Sequence, residues 1–463
     1  MFFQLPVELQ RGCIQCLDVE GLKSFRLVNK DALAIATETL FGTVNLLPTY
    51  DNAEKLSFVR EDATLNPLVR RVIFNTPEDP LGYLFSGGAD ESELLDSFQD
   101  ALLSVTKFSG LREVELRFAK DCALPGAWAR FRGDVAETKE FRTAVLQAFF
   151  KGLAEQRELP VHVESLTIKN LQDGTDVSIY ESDTFQAVRS RLKKLHLQIA
   201  TENHEPSPED NVDFEACQRY FDTELPEQWL KPLQPQLTYL TLYTAQCMWG
   251  FYPFCDLRRI HFPLLKSLAL GNWTIVHEWQ IDWLLSHGET LEELVLDDCP
   301  IVTALMMTDK QIRPHWQDLV SLQTTRLGTR NYFKEVGLRW HHVFPRLRFG
   351  LPRLLHFAMG SGNWEMQNMF EERYELLNKC LWGRYYTFNI GTCPTPWAAG
   401  DDYEVLAYAR MRRRKDKDAR RATRFLMMGG DWEHHPFPEC DEEDLKAFRD
   451  LLDVVEKRQG VRV

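Results

Sequence analysis

Along residues 5 to 41 apolar side chains recur at intervals of three and four, the spacing of short amphipathic helices. Leu9, Cys13, Cys16 and Leu17 share one such face behind the opening Leu5-Pro6-Val7-Glu8-Leu9. Pro6 suits a first helical turn, where its missing N–H is not needed. Asp18 can cap a second helix carrying Leu22 and Phe25, with Gly21 as a weak spot. Asn29 can cap a third, whose Ala32, Ala34 and Ala36 permit close helix approach before Leu40 and Phe41. Cys13 and Cys16 fall on the apolar side of the first helix and read as small core residues. No second pair stands at a zinc spacing and no thioredoxin-type strand precedes them. Three helices this short bury little surface alone, so a partner or a neighbouring domain is expected to stabilise them.

After Phe41 the pattern becomes apolar-x-x-apolar-x-apolar, the strand signature of leucine-rich repeats. Leu291-Glu-Glu-Leu294-Val-Leu296-Asp-Asp-Cys299 fits the full L-x-x-L-x-L-x-x-C form. Shorter matches begin at Val69, Leu111, Val163, Leu192, Leu237, Leu265 and Leu354. The starts at 237, 265 and 291 lie 28 and 26 residues apart, and 163 to 192 is 29. These spacings sit at or inside the repeat period of ~20–29 residues. Gaps of 42, 52 and 45 elsewhere require insertions. Trp279, Trp283 and Leu284 have the spacing of a return helix that Gly288 can end. The Pro-bearing acidic stretch 202–227 and the segment Cys393 to Asp402 read as loops. Asp441 can cap a last helix with Leu445, Phe448, Leu452 and Val455 in one stripe, a lid for the final strand. Residues between the inward leucines should point along the strand face: Glu113, Glu115, Thr167, Lys194, His196, Thr241, Tyr243, Glu293 and Val295. Of these, Glu113, Glu115, Thr241, Tyr243 and Glu293 are the candidate contacts for a protein substrate.

Composition narrows the function classes. The chain has 463 residues, 26% charged and 44% hydrophobic, with a net charge of −14. That balance argues against a nucleic-acid surface spread over the molecule. There is no apolar run of ~18 residues to span a membrane, and no secretory signal is evident, so cytoplasmic or nuclear residence with reduced thiols is expected. Nucleophile elbows, P-loops and dinucleotide fingerprints are missing, so no enzyme and no cofactor is expected. His341-His342 and Glu433-His434-His435 with Cys440 supply no closed metal set at a recognised spacing. From Arg410 to Arg424 nine of fifteen residues are Lys or Arg, the composition of an import signal, an acidic-partner face or a solvated helix.

The block Leu5-Pro6-x-Glu8-Leu9, Leu22-Lys23-Ser24-Phe25-Arg26-Leu27-Val28-Asn29-Lys30 and Ala36 to Leu40-Phe41 resembles an F-box. The whole is similar to F-box proteins with degenerate leucine-rich-repeat tails that abound in filamentous fungi. The stretch from Phe262-Pro263-Leu264-Leu265 to Cys299-Pro300 resembles their repeats. Gln10-Arg11-Gly12 departs from the pattern, which favours a hydrophobic residue and no glycine there. The resemblance implies an α/β chain: an N-terminal three-helix F-box at 1–45, then an irregular leucine-rich-repeat-like solenoid at 46–392 with parallel strands and helical or loop returns. A loop, a basic helix and a capping helix follow at 393–463. It further implies a substrate receptor of a Skp–cullin–F-box ubiquitin ligase, docked on the Skp adaptor of the cullin–RING ligase through Leu5, Pro6, Leu9, Leu17, Leu22, Leu27 and Val28. The rival readings are a repeat scaffold acting without ubiquitylation and a repeat-containing enzyme with an unfamiliar site.

Overall fold

The computed structural model of the protein describes residues 2–77, 96–119, 122, 137–154, 163–201, 215–244, 247–308, 311–312, 322–326, 329–360, 376, 384–388, 438 and 440–461. The expected loop at 393–402 and the basic run at 410–424 lie outside them. The chain forms two compact units, Met1–Leu197 and Gln198–Val463, a division that differs from the expected boundaries at 45 and 392. No helix among the described residues is long and apolar enough to cross a membrane.

The first unit opens with helices α1 (Val7–Gln15), α2 (Val19–Phe25) and α3 (Lys30–Gly42). Asp18 and Asn29 cap α2 and α3 as their side chains predict, accepting from the N–H of Gly21 and of Ala32. Pro6 stands one place earlier than expected, at the N-cap of α1 rather than inside its first turn. Helix α3 runs straight into strand β1 (Thr43–Leu46), and α4 (Tyr50–Glu61) leads to β2 (Arg71–Asn75). Next come α5 (Asp96–Leu103), β3 (Glu113–Arg117), α6 (Lys139–Ala154) and β4 (Ser165–Gln172). Short helices α7 (Val177–Glu181) and α8 (Asp183–Arg189) lead to β5 (Lys194–Ala200), inside which the division of the units falls. β1 to β4 pair in sequence order, all parallel. Parallel neighbours require a crossover between them, and α4, α5 and α6 occupy that place in the chain.

In the second unit α9 (Glu215–Arg219) continues as a π-helical segment, Tyr220–Leu230. The expected loop at 202–227 is therefore corrected from Glu215 onward. Cys217, Tyr220, Phe221, Leu225, Trp229 and Leu230 are buried at helical spacing, and the wider π turn accommodates Pro226. Strands β6 (Tyr239–Thr244), β7 (Ser267–Gly271) and β8 (Glu293–Asp297) are parallel neighbours, with α10 (Glu278–Leu285) returning between β7 and β8. A second, four-stranded sheet of β9 (Ile301–Thr308), β10 (Leu322–Arg326), β11 (Thr329–Glu335) and β13 (Tyr385–Phe388) includes the antiparallel run β10-β11-β9. Helix α11 (Trp340–Gly350) then leads to β12 (His356–Gly360), which pairs parallel with β8. The terminal helix α12 (Asp441–Val461) lies on α11 and β12. Its buried stripe is Asp444, Phe448, Leu451 and Val455. The Phe448 ring meets Phe344 and Phe357 at 5.3 and 6.0 Å, and Arg458 donates to the Leu351 carbonyl, so α12 covers the end strand as a lid.

All eight predicted apolar strands form, and their pattern residues line up. Val72 pairs with Val114 and that with Leu166; Leu240, Leu268, Leu294 and Phe357 form the matching row in the second unit. Every one of these is buried. Strand entry repeats as well. The carbonyl of Arg70 accepts the N–H groups of Arg112 and Glu113, and Arg112 those of Glu164 and Ser165; Lys266 and Glu292 act alike further on. Two residues past the last pattern residue, Asn170 inside β4 and Asn272 and Asp298 just after β7 and β8 adopt φ of 57°, 56° and 47°. Short polar side chains tolerate that left-handed backbone best among non-glycine residues. The Asn272 amide donates to the Thr244 carbonyl at 2.7 Å and that of Asn170 to Phe118 at 2.9 Å. In each case the acceptor is the equivalent residue one strand earlier. The Cys299 thiol adds a bond to the Leu270 carbonyl.

Two predictions follow from these rungs. Asn272→Gly keeps the backbone angle but leaves the buried Thr244 carbonyl short of its donor, which should cost about 1–2 kcal/mol in denaturant unfolding. Asn272→Ala should cost about 1–2 kcal/mol more through backbone strain. His287 supplies the pH test. Its Nε2 accepts the Phe262 N–H at 3.2 Å, and burial, helped by neighbouring His261, lowers its pKa from 6.5 to about 4. Between those values the unfolded chain carries a proton that the folded chain refuses. The stabilisation is fully present above pH 6.5 and is lost as pH falls through about 4, a change on the order of 2–3 kcal/mol. Unfolding midpoints should fall between neutral pH and about pH 5, and His287→Gln should flatten that dependence.

Candidate docking surface

The small core of α1 to α3 is Ile14, Leu22 and Ala36, with Phe2, Phe25, Ile35 and Leu40 packed against it. Phe2 meets Phe25 edge-on at 5.6 Å. Outside that core the surface is unusually apolar. Leu27 is 87% exposed, Val28 61% and Leu9 57%, with Leu5, Pro6 and Leu17 also open. Six of the seven predicted docking residues therefore face solvent, and Leu22 belongs to the core instead. Val19 and Leu33, absent from the predicted set, are exposed too. Helix α3 buries Ala32 and Ala36 while turning its Leu33 outward, the reverse of what a packed helix does with large and small residues.

The backbone presents this surface firmly. Leu27 and Val28 sit in the turn between α2 and α3, where their N–H groups bond the carbonyls of Ser24 and Phe25 at 3.1 Å. Gln10 is buried and donates its amide to the Leu5 carbonyl at 2.7 Å, tying the Leu5-Pro6 opening to α1. Arg11 reaches Glu38 with both carboxylate oxygens within 3.1 Å and bridges α1 to α3. Cys13 and Cys16 are exposed, which corrects their assignment to the core. Among the described side chains of α1, Gln10 and Ile14 are buried, whereas Leu9 and Cys13 beside them and Leu17 beyond the helix are exposed.

The strand-face row fares differently. Glu113 in the first unit and Glu293 in the second are half-exposed at strand starts, and Lys194 near Glu113 likewise. Glu115, Thr167, His196, Thr241, Tyr243 and Val295 are buried, so the expectation of an open row is corrected for them. Parallel strands are commonly covered on both faces. In the second unit Tyr243, Ala269, Val295, Ala358 and Leu376 form an apolar cluster on that side. A Cβ at Gly271 would lie 1.8 Å from the Tyr243 ring, so glycine is what lets the tyrosine lie flat on the sheet. In the first unit Glu115 pairs with Arg71 and Arg117.

One further cluster joins residues far apart in sequence. Asp444, fully buried, accepts from Arg384 Nε at 2.9 Å, from the Tyr385 hydroxyl at 2.7 Å and from the His341 backbone N–H at 2.8 Å. Its Oδ1 also lies 2.9 Å from His341 Nδ1, and Cys440 Sγ is 3.4 Å from the Tyr385 hydroxyl. Burial would raise the Asp444 pKa, but the hydrogen bonds from Arg384, Tyr385 and His341 prevail and hold it below the usual range. Burial drives the Tyr385 hydroxyl and the Cys440 thiol the other way, upward. Glu433, His434 and His435 lie outside the described residues. Comparison with protein-family models finds no match, and comparison with curated proteins finds none either.

Gly12 gives a direct test of how α1 is held. A Cβ there would meet nothing within 4 Å, so Gly12→Ala should raise the stability of the helical block by up to about 1 kcal/mol. Hydrogen exchange of the α1 amides is the measurement, with slower exchange expected.

Proposed function

We propose that this chain is an F-box-type substrate receptor. Helices α1 to α3 dock on the Skp adaptor of a cullin–RING ubiquitin ligase, the leucine-rich-repeat-like body carries a protein substrate, and the transfer chemistry belongs to other subunits. In this reading the chain is not an enzyme and needs no cofactor. The observation that carries it is the exposure of seven large apolar side chains between Leu5 and Leu33. Apolar surface concentrated in so short a segment marks a place where another protein sits. The matching Leu-Pro opening, capped short helices and Leu27-Val28 turn point to this partner among others. The recurring strand entries and asparagine rungs support the repeat reading of the body. Of the residues first considered for substrate contact, Glu113 and Glu293 remain accessible, whereas Glu115, Thr241 and Tyr243 hold the sheet together.

Leu27→Asp should weaken adaptor binding by about 2 kcal/mol or more, roughly 30-fold in Kd. Because Leu27 is almost fully exposed, the melting temperature of the free chain should stay unchanged. Leu5→Ala with Pro6→Ala should act the same way. Titration against purified Skp adaptor decides the matter, and a Leu27→Asp chain that binds with wild-type affinity overturns the reading.

A further inference from the structure

We propose that His341, Cys440 and Asp444 form a zinc-class metal site that fastens the start of α12 to the start of α11. Among the described residues these three place His Nδ1, Cys Sγ and a carboxylate oxygen all within 4.8 Å of one another. His341 Nδ1 and Asp444 Oδ1 are 2.9 Å apart, and Cys440 Sγ lies 3.5 Å from Asp444 Oδ2. Zinc bonds of about 2.0–2.3 Å set tetrahedral edges of about 3.3–3.6 Å, so small side-chain adjustments admit an ion. Three protein ligands leave the fourth position to water. A thiolate and an imidazole beside a single carboxylate select zinc or its analogues over magnesium and calcium, which prefer oxygen-only sets.

The surroundings suit the role. Asp444 Oδ2 accepts from Arg384 and Tyr385, which fixes the carboxylate plane and leaves Oδ1 turned toward His341, as outer partners of metal ligands do. The Arg384 charge is shared with Asp441, which reduces its repulsion of an incoming cation. Cys440 and Asp444 are buried while His341 is partly open, so the imidazole side gives the ion its way in. On binding, the Cys440 S–H bond breaks, its proton leaves to water and the sulfur bonds the metal. The His341 ring, whose Nδ1–H now faces the Asp444 carboxylate, releases that proton to water and takes one on Nε2, and the freed Nδ1 lone pair binds the ion beside Asp444 Oδ1.

Cobalt(II) is the probe, added to the reduced, chelator-stripped full chain. One equivalent should give tetrahedral visible bands and a near-ultraviolet thiolate-to-cobalt band, both displaced by zinc. Cys440→Ser should abolish the thiolate band, His341→Gln should weaken binding about tenfold or more, and the Cys13→Ser/Cys16→Ser chain should keep the full signal. The wild-type titration stands without any variant: no thiolate band at stoichiometric cobalt overturns the site, as does a band that survives Cys440→Ser.

Discussion

Everything in this fold depends on parallel strands entering in register. At each entry one carbonyl, such as that of Arg70, Arg112, Lys266 or Glu292, takes two N–H groups of the next strand. That pair of hydrogen bonds sets the stagger, and the stagger brings Leu268 beside Leu294 and Leu270 beside Leu296. A slip of one residue would turn the whole leucine row to the other face. The Asn170 and Asn272 amides tie β4 and the end of β7 to the preceding strands farther along, as the carbonyls do at the entries.

This explains which parts of the fold were legible in the sequence. A side chain that must fall on the same spot in every strand leaves a period, and the eight apolar strands could be read from it. Strand β1 could not: Thr43-Val44-Asn45-Leu46 follows α3 without a break and buries only Leu46. Helix α4 buries only Leu56 and turns Tyr50 and Phe58 to solvent, so it has no stripe to detect. The helical run 215–230 was hidden by its acids and Pro226, although its aromatic residues carry the spacing. The alternate strand positions looked like surface because Glu115, Thr167 and His196 are polar. Ion pairing and coverage of both faces make such residues internal, and neither shows in a local pattern.

The candidate site divides in the same way. Leu27 and Val28 were legible only through the resemblance of their segment to an F-box, and the structure adds that they stand exposed in a turn. Leu22 could not be separated from them by sequence, since a short helix uses leucine for core and contact alike. Leu33 was missed because its neighbouring alanines form the buried face. His341, Cys440 and Asp444 meet only through the packing of α12 on α11, about a hundred residues apart in the chain, and no spacing rule reaches that far.

The junction of the helical block with the sheet carries a mechanical consequence. Thr43 closes α3 as its C-cap and opens β1 in the same residue. The last carbonyl of α3, on Gly42, accepts the N–H of Arg70 at the threshold of β2. No Gly-, Ser- or Pro-rich linker intervenes, the kind of segment through which joined domains ordinarily move. Swinging the three helices away would break the β1–β2 ladder, whose four in-register pairs include buried Leu46 and Phe74. A partner that grips Leu9, Leu27 and Val28 therefore grips the strands of the first unit as well. If α1 to α3 are the docking element proposed above, this junction fixes the angle between that partner and the first unit's sheet, with no tether between them.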